Sequence, residues 1–326
     1  MLSLSVVTQC FLRMAKKQLR LVGQWLLLSL ILVSVNIVSA TEYQYRNNDY
    51  LVGAVSYTYA RYEDTLLDIA RQNNVGYNEI TRANSQVNLW LPGEGSRIRI
   101  PQLFILPATP RRGITLNLAE RRLYFFPEPI SEDTRRLVTV PVGIGREGWQ
   151  TPIGPARVIN KITAPSWTPP PSIVEEYRQQ GIELPNQVPP GPDNPLGEFA
   201  MLLSIPGYLL HGTNRPDGIG MRVSHGCIRL FPEDIKALFN RVALDTPVWI
   251  IDQPDKVGWR GDFLYLESHP ASYSRYVINE ENYRQDIQQV AMSGGFEVNW
   301  SLVEQVHRRA DGVPAIIGRR LPPVRQ

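Results

Sequence analysis

The sequence predicts a mainly β protein, with a small α+β module ahead of the β domain and a partly helical tail behind it. Three observations carry this. Between residues 113 and 252 short apolar runs recur, separated by glycines at 143, 145, 148 and 154. Residues 51–101 read in the order strand, helix, helix, strand. After residue 279 the apolar spacing becomes helical.

Residues 1–40 read as a signal peptide. Arg13, Lys16, Lys17 and Arg20 form a basic region, Leu21 to Val35 is apolar, and Val38-Ser39-Ala40 suits cleavage before Thr41. An alternative is a retained anchor, since the apolar run is near the lower length limit for a span. This segment carries four of the 34 Lys/Arg and none of the 31 Asp/Glu, so the mature chain is close to neutral. The basic surface that nucleic-acid binding needs is therefore absent from the reading. Of two cysteines, only Cys227 follows the signal. An exported chain with one thiol cannot form an internal disulfide, and the thiol becomes a candidate reactive group.

Residues 41–50 read as a polar leader. In the module, Val55–Tyr59 is a strand, and Asp64 caps a helix carrying Leu66, Leu67, Ile69 and Ala70. Asn74 and Gly76 break it, Asn78–Ala83 forms a second helix, and Arg97–Pro101 is the closing strand. Phe104–Pro107 and Pro110 read as a rigid junction. Ile114–Leu118 and Leu123–Phe126 make a hairpin, and Leu137–Val142 and Ala156–Ile162 add strands. Residues 165–195 hold nine of the 27 prolines, too many missing N–H donors for a sheet interior, with a short helix over Ser172–Gln180. Phe199–Leu203 and Tyr208–His211 are strands. Ile235, Leu238, Phe239 and Val242 predict a helix that Pro232 opens, and Pro247–Ile251 closes the domain. In the 253–326 tail, helices are expected over Asn279–Ala291 and from Ser301, where Ser301–Glu304 has capping-box form. Arg319–Gln326 read as frayed, and His269 and His307 as structural.

The densest chemistry lies in residues 211–230. They contain His211, Ser224, His225, Gly226 and Cys227 among several glycines, with Arg215, Arg222 and Arg229. A thiol of pKa near about 8.5 is a few per cent thiolate at neutral pH, and a neighbouring imidazole can take its proton. Glycines let backbone N–H groups near Gly226 and Cys227 approach a developing oxyanion. In an extended segment His225 and Cys227 share one face, whereas Ser224 points away from His225. A lone cysteine is also a common buried hydrophobe. Zinc is a further reading of His211, His225 and Cys227, but a structural site wants a fourth ligand and none is evident.

His211-Gly212-Thr213 followed by Ser224-His225-Gly226-Cys227-Ile228-Arg229 resembles the signature of the L,D-transpeptidase (YkuD-like) catalytic domain. Residues 51–101 resemble a LysM module, which binds N-acetylglucosamine-containing glycans. That match rests on Glu63-Asp64-Thr65-Leu66, Ile69-Ala70, Asn84 and Ile100-Pro101, with Glu63 where the family usually has glycine. The resemblances imply a β-sandwich with a short helix over 112–252, a LysM-like module over 51–101 and a C-terminal subdomain over 253–326.

They also imply a chemistry. Cys227 would attack the meso-diaminopimelate carbonyl of a peptidoglycan tetrapeptide stem, release D-alanine and pass the acyl group to an amine. The amine would belong to another stem, giving a 3→3 crosslink, or to a lysine of an outer-membrane lipoprotein. His211 would be the base, oriented by the carbonyl of Gly212, with His225 and Ser224 in support and His225 the alternative base. Residues 165–195 would cover the cleft. Arg229 and Arg222 are candidate ligands of the carboxylate-rich donor. Neither cofactor nor metal is implied, and the expected compartment is the periplasm. Two other outcomes stay open: a carboxypeptidase or crosslink hydrolase on the same substrate, and a glycan-binding protein whose catalytic domain is inactive.

Overall fold

The computed structural model describes residues 41–273 and 280–322. The export segment expected over 1–40 lies outside them. Among the described residues no helix is long and apolar enough to cross a membrane.

β1 (Thr41–Arg46) corrects the leader reading. It pairs antiparallel with a strand of the main sheet, Thr41 opposite Thr139 through Arg46 opposite Thr134. Alternation of Tyr43 and Tyr45 with polar residues suits such an edge, one face packed and one wet. β2 (Leu51–Tyr59) leads to α1 (Leu66–Gln72) and α2 (Tyr77–Ala83), and β3 (Arg97–Ile105) returns antiparallel to β2. The cap of α1 is Thr65, not Asp64: Thr65 Oγ1 accepts Asp68 N–H (3.1 Å) and Asp68 Oδ2 accepts Thr65 N–H (2.9 Å). Asp64 closes the preceding turn by accepting from Arg61 N–H and its guanidinium. Phe104 and Ile105, read as junction, belong to β3, where they stand opposite Val52 and Leu51 of β2.

β4 (Gly113–Asn117), β5 (Arg122–Phe126), β6 (Thr134–Pro141), β7 (Ile144–Gly145) and β8 (Gly154–Thr163) follow. α3 (Pro171–Gln179) lies in the proline-rich segment, with Pro171 at the helix start where a missing N–H costs nothing. The segment's carbonyls converge on one buried amide: Asn194 Nδ2 donates to Pro165 O, Val188 O and Pro189 O. β9 (Phe199–Leu203), β10 (Leu209–His211), β11 (Arg222–Ser224), β12 (Ile228–Arg229), α4 (Pro232–Arg241) and β13 (Pro247–Ile251) complete this part. Nine strands form one sheet in the order β1-β6-β5-β4-β13-β8-β9-β10-β12, while β11 pairs with β7. The helix predicted after Pro232 is present. It buries Ile235 and Leu238 against the core formed by Ile114, Leu116, Val140, Val158, Leu210, Ile228 and Ile250.

The tail is not merely partly helical. β14 (Asp255–Arg260), β15 (Phe263–Ser268), α5 (Glu280–Gly294), β16 (Phe296–Val298), α6 (Trp300–Arg309) and β17 (Ala315–Arg320) form an α+β unit, with a sheet in the order β14-β15-β17-β16. Arg319 and Arg320, expected to fray, pair with Phe263 and Phe296. α6 begins earlier than expected, because Asn299 Oδ1 accepts Leu302 N–H (3.2 Å). Leu264, Leu266, Ile287, Val303 and Ile317 form its core.

Two buried ionic groups join these parts. Arg122 of β5, 1% exposed, donates to Glu79 of α2 from Nε (2.5 Å) and Nη2 (2.8 Å). Lys256 of β14 lies between Glu120 (2.9 Å) and Glu267 (2.8 Å) and donates to Ile105 O (2.6 Å). Glu267 also accepts from Ile105 N–H and pairs with His269, as Tyr124 does with Glu120. Burial penalises the Glu267 carboxylate, but Lys256 and His269 hold it below the usual carboxylate range. His307 bonds Asp255 (3.1 Å) and stacks on Tyr283. Both tail histidines thus sit in protein-internal networks.

Candidate active site

β10 and β12 are parallel neighbours, with Leu210 opposite Ile228 and His211 opposite Arg229. Leu210 and Ile228 face the core, so His211 and Arg229, one residue on, face the other way. Cys227 immediately precedes β12. Its sulfur is partly exposed, contacts Gly207 O at 3.5 Å, and receives the amide of Leu209. The thiol's hydrogen bond thus goes to a carbonyl and not to a histidine.

His211 is buried, and its Nδ1 lies 2.6 Å from Gly212 O. A carbonyl only accepts, so Nδ1 carries the proton of the neutral ring and Nε2 is its basic nitrogen. Burial, with the nearby Arg229 charge, pushes the imidazole down to about 4, against the carbonyls of Gly212 and Leu196, which favour the charged form. The ring is therefore neutral at pH 7. Burial also pushes the Cys227 thiol up, against the Leu209 amide and Arg229, which favour the thiolate. The resting pair is a neutral thiol and a neutral imidazole, not a thiolate and an imidazolium.

The expectation that His225 and Cys227 share a face is not met. Gly226 stands at φ +102°, which breaks the extended run between β11 and β12. That φ favours glycine, and a Cβ there would also press on the Tyr208 ring at 3.0 Å. His225 turns instead to α3, with Nε2 3.1 Å from Glu176 Oε2, 3.3 Å from Arg146 Nη2, and its ring edge-on to Trp149. Glu176 also pairs with Arg146 at 2.5 Å. Ser224 Oγ donates to Cys227 O (2.5 Å) and accepts from Gly226 N–H (3.2 Å). It shapes the turn and takes Gly226 N–H out of the candidate oxyanion donors, leaving the amide of Cys227.

Residues far apart in sequence hold this turn from behind. Thr151 Oγ1 donates to Gly226 O (2.8 Å), and Tyr273, fully buried, accepts Thr151 N–H (3.1 Å) and donates to Gly145 O (2.9 Å). Sequence reasoning missed Thr151, Tyr273, Arg146, Trp149 and Glu176. No motif marks them, although Trp149 and Thr151 stand beside the glycine turns that flagged the region.

A cleft of about 400 Å³ opens beside the cysteine turn, lined by Trp167, Tyr177, Pro195, Arg215, His225 and Arg229 among others. The proline-rich segment supplies one wall of it. Arg229 is partly buried, and its Nε meets no acceptor among the described residues. Arg222 stands elsewhere: it donates to Ser272 O (2.6 Å), pairs with Glu147 (3.4 Å), and is outside the cleft lining, which removes the geometric support for a substrate role.

Residues 111–250 match the YkuD family, the L,D-transpeptidase catalytic domain. The "Probable L,D-transpeptidase ErfK/SrfK" of Salmonella typhimurium is 38% identical over 263 residues, covering 79% of this chain and 84% of that one. The ErfK/SrfK relative of Escherichia coli K12 is 44% identical over 209 residues, covering 63% of this chain and 66% of the relative. For "Probable L,D-transpeptidase YcfS" of the same strain the values are 47% over 194 residues, 58% and 59%. The two Escherichia coli alignments thus take in less than two thirds of each relative. By the extent of the Salmonella match and the domain assignment, this chain belongs to the L,D-transpeptidase family.

Proposed function

We propose that the chain is a periplasmic peptidoglycan L,D-transpeptidase with Cys227 as nucleophile and His211 as proton acceptor and donor. The observation that carries this is the partly exposed Cys227, between the cleft-lining His225 and Arg229 and just ahead of the strand that adjoins a neutral, carbonyl-oriented histidine. Rotation of Cys227 about its Cα–Cβ bond frees Sγ from Gly207 O and turns it towards the stem peptide. As Sγ attacks the meso-diaminopimelate carbonyl, its proton passes to His211 Nε2 and then to the departing amine of D-alanine. A thioester remains. An acceptor amine attacks it, His211 takes the proton of that amine, and the thiol is restored. A base of pKa about 4 holds a proton poorly once the leaving group can take it, which suits return to the amine.

Arg229 and Arg215 supply positive charge to the cleft, and the donor stem is rich in carboxylates. The LysM-like module supports a glycan-docking role. Tyr62, Trp90 and Leu91 are 85%, 62% and 77% exposed, and the Leu66 N–H to Leu89 O bond ties their two loops together. The acceptor is another stem or a lipoprotein lysine.

The decisive experiment incubates purified protein with cell wall, digests it, and reads the stems by mass spectrometry. Loss of one D-alanine per new 3→3 link, or per lipoprotein lysine joined, is expected. Loss of D-alanine with water as the only acceptor would make the protein a carboxypeptidase. Unchanged stems would remove the enzymatic reading.

A further inference from the structure

The N-terminal module touches the loop that leads to the cysteine. Tyr77 N–H donates to Ile219 O (3.0 Å), and Asn78 Nδ2 donates to Gly220 O (2.5 Å). Gly220 has φ +85°, and a Cβ on it would lie 2.7 Å from Gly76 Cα. The two backbones are therefore in direct contact, and no side chain fits between them.

Both ends of this contact are fixed. On the module side, Gly76 N–H donates to Glu79 Oε2 (2.6 Å), the carboxylate that holds buried Arg122. Arg122 Nη2 also donates to Asn74 O (3.1 Å), so a fully enclosed guanidinium ties the 74–79 turn to the main sheet. On the loop side, Gly220 N–H donates to Val142 O (3.2 Å) and Ile144 N–H to Met221 O (3.0 Å), after which β11 pairs with β7. β11 ends at Ser224, whose hydroxyl bonds both Gly226 N–H and Cys227 O. Hydrogen bonds and the short stretches of chain between them thus connect Asn78 to the backbone of Cys227, through a ladder that shifts register between Arg222 and Ser224.

We propose that Asn78 is a positioning residue for the nucleophile: its amide sets the register of the 219–224 segment, and through Ser224 the placement of Cys227. The inference rests on the reading of Cys227 as nucleophile. It makes the N-terminal module a working part of the active site and not only a docking device. Peptide Gly220–Met221 is where the effect enters, because its carbonyl accepts from Asn78 while the carbonyl of Met221 holds β7.

The test measures D-alanine release by the full chain carrying Asn78→Ala or Asn78→Asp. The aspartate has the same shape but lacks the N–H donor. Both variants are expected to lower kcat about tenfold, since small displacements of a reacting atom cost that much or more. The KM for the donor should stay within twofold, and the thermal unfolding midpoint should not move. The rate at which a carbapenem acylates the thiol should fall in step with kcat. Wild-type kcat in either variant overturns the proposal. So does a loss confined to KM, or one accounted for by the unfolded fraction. If the wild type itself shows no Cys227-dependent turnover, the nucleophile reading fails first. An active wild type with unaffected Asn78 variants sinks this inference alone.

Discussion

Lys256 is a fully buried cation and Arg229 a partly buried one, and their surroundings differ completely. Lys256 lies between Glu120 and Glu267 and donates to a backbone carbonyl, with His269 and Tyr124 completing the network. Arg229 faces a cleft, has Arg215 as a charged neighbour, and leaves its Nε without an acceptor. A charge drawn partly out of water with a donor unmet is costly, so it persists where something else supplies the counter-charge. The first region spends its polar groups on holding three parts of the chain together. The second leaves them available to a ligand.

The contrast can be broken or sharpened in four ways. Replacing Cys227 with alanine should lower D-alanine release by about 10⁴-fold, the scale of losing a nucleophile, with no change in melting temperature. Retained turnover would mean that the cleft is not a thiol site. Lys256→Met should cost about 3–5 kcal/mol in urea unfolding, because it strands two buried carboxylates. Arg229→Met should cost far less, since it leaves no carboxylate stranded; equal losses would erase the difference between the regions.

His211 gives a pH signature. Its folded pKa is about 4 and its unfolded value near about 6.5, so the unfolded chain binds more protons between these values. Stability should therefore rise with pH across that window. The total is about 3 kcal/mol, present above the unfolded value and lost as pH falls to the folded one. Unfolding curves of the wild type and His211→Asn at pH 4 and 7 check it, and the variant should lack this component. The smallest effect is expected from Arg229→Lys, which keeps the charge but loses the planar fork: about a tenfold rise in donor KM, or about 1.4 kcal/mol. Steady-state kinetics that match wild type in both KM and kcat would reject an orienting role.

Much of the fold was readable because its periodicities are local. The spacing of Ile235, Leu238 and Val242 and the Pro232 start marked α4, and the alternation at 114–126 marked a hairpin. β1 reads as polar because an edge strand buries only alternate residues, and Tyr43 and Tyr45 were the only trace of that. In the C-terminal sheet the local hairpin of β14 and β15, Trp259 opposite Leu264, went unread, and Ile317 lies on β17, which meets β15 only far along the chain, Phe263 opposite Arg319. At the site, Cys227 and His211 stood out by motif. The orientation of His225 did not, since it depends on a single positive φ at Gly226. Tyr273 acts from 46 positions beyond the cysteine, where no spacing rule reaches it.

That last contact bears on where this protein can be cut. The stretch matching the family runs from 111 to 250, yet a fragment with those ends would be damaged on three sides. β6 would lose Thr41–Arg46 and present a bare edge to other molecules, an invitation to aggregate. Arg122 would lose Glu79 and stand unneutralised. Thr151 would lose Tyr273, and with it the prop behind the Gly226 turn. The smallest piece worth expressing starts at Thr41 and extends past Tyr273, well beyond the ends of the matched segment.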